Sequence, residues 1–287
     1  MTIDIVFFLN TGVLRPLLAA MNSVVKNAAA PEALRFTIVA PDLADEVAAM
    51  ETALAHAFPD APFAWRVVPT RAPEWIARYI RARYGTPMEE EAFVRRSIHY
   101  ARLWMSDDLP ADVGRFICLD CDVIVIDDIA GLWAEAEAAG PAVFAASPQL
   151  FHGLLYFRQP WKGWRAVRGM RPFNAGVTVI DRRLWDDGVK ARLKVIFDWN
   201  EANGYGLFSL HDEPVLNLLF KDYARFSARW NRCGYGNAPW LAKLLAKPLD
   251  ETSIIHWSGG HRKPWSDRGV PYGDLWWQYD LGEPVTG

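Results

Sequence analysis

Phe116-Ile-Cys-Leu-Asp120-Cys-Asp122-Val-Ile-Val125 sets two acids, one residue apart, between two apolar runs. The run before them has the length and composition of a buried strand. In an extended chain residues i and i+2 point to the same side, so Asp120 and Asp122 can converge on one point. Two carboxylates that close repel unless a proton or cation sits between them. Hard divalent ions such as Mg²⁺ and Mn²⁺ take oxygen ligands and bridge carboxylates to phosphates. An Asp-x-Asp triplet alone also fits a surface turn with two solvated acids. The apolar runs on both sides argue against a surface tip. Cys118 and Cys121 share a Cys-x-x-Cys spacing, but three residues apart on a strand they face opposite sides and read as small buried hydrophobes.

On the N-terminal side, strand-like runs at Ile3 to Leu9, Arg35 to Ala40 and Phe63 to Val68 alternate with helical patterns. Leu14, Leu17, Leu18, Met21, Val24 and Val25 recur at helical spacing. Asp42 is placed to cap a helix that runs to His56. Further helical patterns cover 73–83 and 89–106. This alternation predicts an α/β fold with a parallel or mostly parallel sheet covered on both faces. Ligands of such open sheets bind at the carboxyl ends of strands, where the acid pair sits.

Beyond residue 140 the rhythm changes. Strands are expected at Ala142 to Ala146, Val177 to Ile180 and Ser253 to His256, and helices at Leu184 to Trp199 and from Asp212. Residues 147–172 show no clean period and read as a functional loop. The tail from Ser266 reads as mostly irregular. No internal repeat or linker appears. The simplest organisation is one domain over 1–265 with a tail, 266–287, packed on it.

The chain has 287 residues, 51% apolar, with a net charge of −3. That size and composition allow a full core. With that charge nothing global points to nucleic acid or an anionic membrane, and no nucleic-acid partner is expected. No run is long and apolar enough to span a membrane. The N-terminus, carrying Asp4 and no basic region, reads as a first strand rather than a signal peptide. Three cysteines suit a reducing compartment, so a cytoplasmic location is expected, with peripheral membrane contact allowed. Fourteen tryptophans serve core packing or the stacking of sugar rings.

Six further segments stand in a fixed order with the acid pair. They are the opening strand from Asp4, Tyr100-Ala-Arg102-Leu103, Phe173-Asn174-Ala-Gly176-Val, His211-Asp212-Glu213-Pro-Val-Leu-Asn217, Ile255-His256-Trp-Ser-Gly259 and Lys263-Pro264-Trp265. In this ordered set the chain resembles glycosyltransferase family 8, the retaining transferases that include glycogenin and bacterial lipopolysaccharide galactosyltransferases. The resemblance covers most of the chain. It implies a GT-A fold, Rossmann-like with a mixed, mostly parallel sheet. It also implies a UDP-sugar donor, a glycan or glycolipid acceptor, and Mn²⁺ or Mg²⁺.

Each segment has its own chemistry beside that resemblance. His256 ends an apolar strand and can give a neutral nitrogen to a site formed with Asp120 and Asp122; a hydrogen-bonded core histidine is the plainer reading. Gly259 and Gly260 let backbone approach a ligand. Lys263 can neutralise a diphosphate or stand as a surface charge. By resemblance, Arg102 contacts the donor sugar or phosphate, and Asn174 and Asp212 hold sugar hydroxyls. Otherwise Arg102 is a surface ion pair, Asn174 a turn residue and Asp212 a helix cap. Glu213 falls where related transferases often carry Gln, beside the anomeric carbon. A carboxylate there could stabilise or attack oxocarbenium-like charge.

The chain departs from the family twice. Acids usually follow the first strand to hold base or ribose; here Phe8, Leu9, Asn10 and Thr11 stand there, leaving Phe8, Asn10 and Thr11 for the nucleotide. After the strand near 146 an acid is usual, but Ser147-Pro148-Gln149 follows. Residues 147–172 hold Arg158, Lys162, Arg165, Arg168 and Arg171 with no acid, interleaved with Phe151, Tyr156, Phe157, Trp161 and Trp164. They read as a lid for an anionic acceptor, as a surface for anionic lipid headgroups, or as a solvated loop. Paired strand-end acids also serve nucleotidyltransferases and phosphohydrolases, and the tryptophans alone would suit a non-catalytic glycan-binding protein. The donor sugar, the linkage and the oligomeric state stay open.

Overall fold

The computed structural model of the chain describes residues 2–85, 87–140, 144–149, 156–260 and 262–286, without the side chains of residues 164, 239 and 245. Its strands are β1 (Ile3–Phe8), β2 (Leu34–Pro41), β3 (Ala64–Thr70), β4 (Arg115–Leu119), β5 (Val123–Val125), β6 (Phe144–Pro148), β7 (Phe173–Asp181), β8 (Ala224–Arg225) and β9 (Ile254–His256). Its helices are α1 (Leu14–Asn27), α2 (Ala44–Ala57), α3 (Glu74–Tyr84), α4 (Glu90–Ser97), α5 (Met105–Asp108), α6 (Ala130–Ala138), α7 (Pro160–Val167), α8 (Asp187–Glu201), α9 (Glu213–Leu219), α10 (Pro239–Leu245) and α11 (Gly273–Tyr279).

Seven strands form one sheet in the order β3-β2-β1-β4-β7-β6-β8. β7 alone runs against the others, antiparallel to both β4 and β6. β5 and β9 pair antiparallel as a separate ribbon. Alternate residues of each strand serve opposite faces. Val6, Phe116 and Cys118 join a core under α3, α4, α8 and α9. Ile5, Phe7, Ile117 and Leu119 join a second core with α1, α2 and α6. Both faces are therefore dry, which is why these strands read as continuous apolar runs. Among the described residues no helix is long and apolar enough to cross a membrane.

Several boundaries differ from the sequence reading. The pattern at 89–106 is not one helix: α4 gives way to a 3₁₀ segment at Ile98–Leu103 and then to α5. No Pro or Gly causes the break; the tighter winding accompanies contacts of Arg102 with the interior. β7 begins at Phe173, so Asn174 and Gly176 lie inside a strand rather than before it. α8 starts at Asp187, where the Asp186 side chain accepts a hydrogen bond from Val189 N at 2.9 Å. Asp42 does not cap α2, whose N-terminal residue Leu43 has no side-chain cap. The expected strand at 142–146 is described only from Phe144 onward, and the expectation for Phe151 and for the Trp164 ring lies outside the described residues. The tail contains α11, seated on α1 through Asn22 Nδ2 to Tyr279 O at 2.8 Å and the buried Trp276. Arg15 adds ion pairs to Asp280 and Glu283.

α9 is docked to β7 by one side chain. Asn217, 1% exposed, accepts from Phe173 N and donates to Phe173 O, both at 2.9 Å. Asn217→Ala leaves the buried Phe173 N without its acceptor, while Phe173 O keeps the Tyr156 hydroxyl. The expected loss is about 2–3 kcal/mol, read from urea unfolding. An unchanged midpoint would show that these bonds do not dock the helix.

Candidate active site

Asp120 and Asp122 leave the end of β4 with their backbones pinned. Asp120 N donates to Gly176 O at 2.8 Å, and Asp122 O accepts from Trp257 N at 3.0 Å. The acids thus stand between β7 and the residues after β9. β9 brings His256 to the same point, fully buried. One ligand atom from each of Asp120, Asp122 and His256 lies within 4.8 Å of the others. His256 Nε2 is 3.1 Å from Asp122 Oδ1 and 3.9 Å from Asp120 Oδ2, yet it is buried without a hydrogen-bond partner.

The tautomer of His256 is set by its other nitrogen. Asn231, 1% exposed, points its Nδ2 at Asn174, 3.2 Å from Oδ1 and 3.4 Å from the carbonyl oxygen. Its Oδ1 therefore faces His256 Nδ1 at 2.9 Å and accepts the proton there. Nε2 is left as a lone pair aimed between two carboxylates. Two carboxylate oxygens and a neutral imidazole form a donor set for a divalent cation, and the orphaned buried nitrogen fits one. Gly176 keeps that space open: a Cβ at this position would stand 2.3 Å from His256 Cε1 and 2.6 Å from Asp120 Oδ2.

A second layer of charge surrounds these ligands. Arg102, on the 3₁₀ segment, donates from Nε and Nη2 to Asp212, and from Nη1 to Ala175 O at 2.6 Å and to Asp120 Oδ1 at 3.4 Å. Burial opposes its charge, but Asp212 and Asp120 outweigh burial and hold its pKa well above the ordinary value. Asp212 stands at the start of α9 yet makes no capping bond; its carboxylate turns to Arg102 instead. Lys263 Nζ donates to Asp122 Oδ2 and Trp257 O, both at 2.6 Å. Burial pushes Asp122 up, but the Lys263 ammonium that donates to it pulls it below the usual carboxylate range. Asp120 is raised, by burial and by repulsion from Asp122, against the pull of Arg102.

Glu213 closes the ring. Its Oε2 accepts from Asn174 Nδ2 at 2.9 Å and Ala175 N at 2.8 Å. Burial is the largest influence and, with Asp212 nearby, pushes Glu213 up to about 7. Asp120, Asp122, His256, Lys263, Arg102, Asp212, Asn174 and Glu213 thus form one connected cluster, joined through Asn231.

The remaining sequence candidates sit apart from that cluster's hydrogen bonds. Phe8 ends β1, half-buried. Asn10 Oδ1 accepts from Gly12 N at 3.1 Å. Thr11 donates from both N and Oγ1 to the buried Glu46 carboxylate. An acid does stand beside the end of β1, but it comes from α2 and is paired with Arg95. Gly259 and Gly260 adopt positive φ, +77° and +52°, in a loop folded against Gly236 and Asn237. The sequence reading missed Asn231, whose Trp-Asn context carries no pattern. It also missed the stacked pair His99 and His211, 4.8 Å apart, beside Asp212. Burial and His99 lower His211 to about 4, so this pair is neutral near pH 7.

The family model described as glycosyl transferase family 8 matches residues 4–269. Among curated proteins, probable galacturonosyltransferase-like 6 of Arabidopsis thaliana is 30% identical over 292 residues, 97% of this chain and 80% of that protein. Among solved structures, the galactosyltransferase LgtC, in complex with donor and acceptor sugar analogs, shares the fold with a TM-score of 0.69. It is 23% identical, over 99% of this chain and 97% of that one. Mouse xyloside xylosyltransferase 1 gives a TM-score of 0.60 at 16% identity, over 90% and 97% of the two chains.

Folding raises the pKa of Glu213 from an ordinary 4.5 to about 7. Ionising it therefore costs stability in the folded state. The cost is absent below the unfolded value, grows as pH rises through this window, and is complete above the folded value. Glu213→Gln keeps an acceptor for both hydrogen bonds but cannot ionise. Its Tm, relative to the unsubstituted protein, should rise between pH 4.5 and 7 and then level off. A difference that stays constant across the window would contradict the raised pKa.

Proposed function

We propose, starting from the fact that this chain belongs to glycosyltransferase family 8, that it moves a hexose from a UDP-sugar to a glycan or glycolipid acceptor with retention. The chain is a glycosyltransferase of the GT-A fold; the donor, the ion and the stereochemical course are our reading. The observation that carries it is the partnerless His256 Nε2 between Asp120 and Asp122. Membership of a transferase family sets aside the phosphohydrolase and non-catalytic readings.

In this reading Asp120, Asp122 and His256 hold Mn²⁺ or Mg²⁺. An ion bound there supplies positive charge to the diphosphate of the departing UDP. Lys263 adds a second positive charge on a flexible stem, exchanging its bond to Asp122 for the phosphates. Arg102 fixes the Asp212 carboxylate, leaving it ready to accept from sugar hydroxyls. Asn174, clamped between Asn231 and Glu213, presents its amide to the same sugar. The bond from the anomeric carbon to the diphosphate breaks with its electron pair on the diphosphate. The ionised Glu213 carboxylate then faces the positive charge that develops on the sugar. The acceptor oxygen forms the new bond to that carbon and gives up its proton to the departing diphosphate, which carries it away with the bond's electron pair.

The reading extends to the acceptor through α7. Arg158, Lys162, Arg165, Arg168 and Arg171 are exposed, and Trp161 is 74% exposed beside them. Among the described residues none of these cations has an ion-pair partner. Such a surface suits an anionic acceptor, such as an acidic or phosphorylated glycan.

The test is a thermal-shift panel of UDP-, GDP-, ADP- and CMP-sugars with Mn²⁺ or EDTA. A ligand at a hundred times its Kd adds about 2.7 kcal/mol of stability. One UDP-sugar should shift the protein, and EDTA or Asp122→Asn should abolish the shift. Asn231→Leu, which frees the His256 tautomer, should need roughly 10- to 100-fold more Mn²⁺ for the same shift. No shift with any donor would sink the proposal.

Acceptor recognition has its own measurement. KM for an anionic acceptor should climb steeply between low and physiological salt while KM for the donor moves less. A KM for the acceptor that ignores salt would remove α7 from acceptor binding.

A further inference from the structure

A second cavity opens on the face of the sheet that carries α3 and α8. Leu103 and Trp104, the residues directly after Arg102, form part of its wall. It encloses about 450 Å³, within the roughly 300–1,000 Å³ of small-ligand sites. Six aromatic side chains line it: Trp75, Tyr79, Trp104, Trp185, Phe197 and Tyr205.

The polar groups of these rings are unequally used. Trp104 Nε1 donates to Thr70 Oγ1 at 2.8 Å and Trp185 Nε1 to Leu103 O at 3.2 Å, so both indoles offer only carbon surface. Tyr79 is 1% exposed, and its hydroxyl lies toward Tyr100 and Arg83, outside the cavity wall, so it too offers the cavity ring carbon. Trp75 is 45% exposed and braced edge-on by Phe197 at 5.6 Å.

The rim selects against charge. Arg78 pairs with Glu201 at 3.5 Å, Lys190 with Asp107 at 3.0 Å and Lys194 with Asp198 at 2.7 Å. The lining holds four acids, Glu74, Asp107, Asp198 and Glu201, against three bases. An anion would meet no spare cation there, and a purely apolar ligand would cover the charged rim groups with carbon. A neutral ring with one C–H face and many hydroxyls satisfies walls, floor and rim together.

We propose that this cavity binds a neutral glycan at a site separate from the donor site. The proposal rests on the reading of the chain as a sugar transferase, which supplies the ligand class: an uncharged stretch of acceptor or product chain anchored away from the reacting end, the acceptor's anionic groups being left to α7. The site is joined to the active centre by packing. Tyr79 meets Tyr100 edge-to-face at 5.5 Å, and Tyr100 meets His211, the neighbour of Asp212, at 5.5 Å.

The experiment titrates the protein with cellotetraose, galactotetraose, mannotetraose and xylotetraose by saturation-transfer NMR, in EDTA and without nucleotide. At least one should bind saturably. Trp75→Ala should weaken it about tenfold, equal to about 1.4 kcal/mol. Tetragalacturonate should bind more weakly than the neutral probes, and Asp122→Asn should bind them as the unsubstituted protein does. Absence of binding by every neutral probe, or full binding by Trp75→Ala, overturns the proposal. Loss of binding in Asp122→Asn places the glycan in the donor site and overturns it too. A failed UDP-sugar shift together with Trp75-dependent glycan binding would remove the donor reading and leave this cavity standing.

Discussion

Four carboxylates, Asp120, Asp122, Asp212 and Glu213, meet at one end of the sheet, and the fold around them is arranged to tolerate that charge. Arg102 takes Asp212 and touches Asp120, Lys263 takes Asp122, and Glu213 responds by a raised pKa. Each answer differs because each environment differs: a bidentate guanidinium, a flexible ammonium, or burial against two N–H donors. Between Asp120 and Asp122 stands only a neutral imidazole nitrogen. That gap in compensation is where a divalent cation fits.

Holding such a cluster needs rigid backbone. β7 supplies it by running antiparallel to β4, so that Gly176 O meets Asp120 N and Asn174 comes level with the start of α9. Asn217 then fastens α9 to Phe173, fixing the distance from Asp212 and Glu213 to the β4 acids. β9 approaches from the other side and pairs with β5, the run directly after the acids. The acids are thus gripped at both ends of one short turn. Gly176 is the one place where strand and histidine pass too closely for a side chain.

The aromatic cavity under α3 and α8 extends the same design away from the reacting end. Arg102 and Trp104 lie two residues apart, one in the charged cluster and the other in an apolar wall. Trp104 is the residue that closes the 3₁₀ segment carrying Arg102, and at two positions' separation the two side chains leave the backbone on different sides. The tryptophans divide accordingly. Trp257 and Trp276 are core, while Trp75, Trp161 and Trp240 remain at the surface, where ring faces can meet a ligand.

The sequence by itself determined the α/β class, the strand that presents Asp120 and Asp122, and the ordered motifs that place the chain in its family. These are local: period-2 and helical patterning, and residues whose spacing is kept along the chain. Tertiary structure alone decided the rest. Asp42 and Asp212 look like helix caps in sequence, yet neither caps, because Asp212 has Arg102 as a stronger partner. The pattern at 89–106 looks like one helix, yet it breaks where Arg102 turns inward. α11 forms in a tail without a clear pattern because α1 offers it a face. Asn231 is unreadable from its neighbours, because its function lies in two hydrogen bonds to residues 25 and 57 positions away. Local pattern is set by which atoms must leave water; partner choice is set by which atoms the fold brings together, and only coordinates in space hold that information.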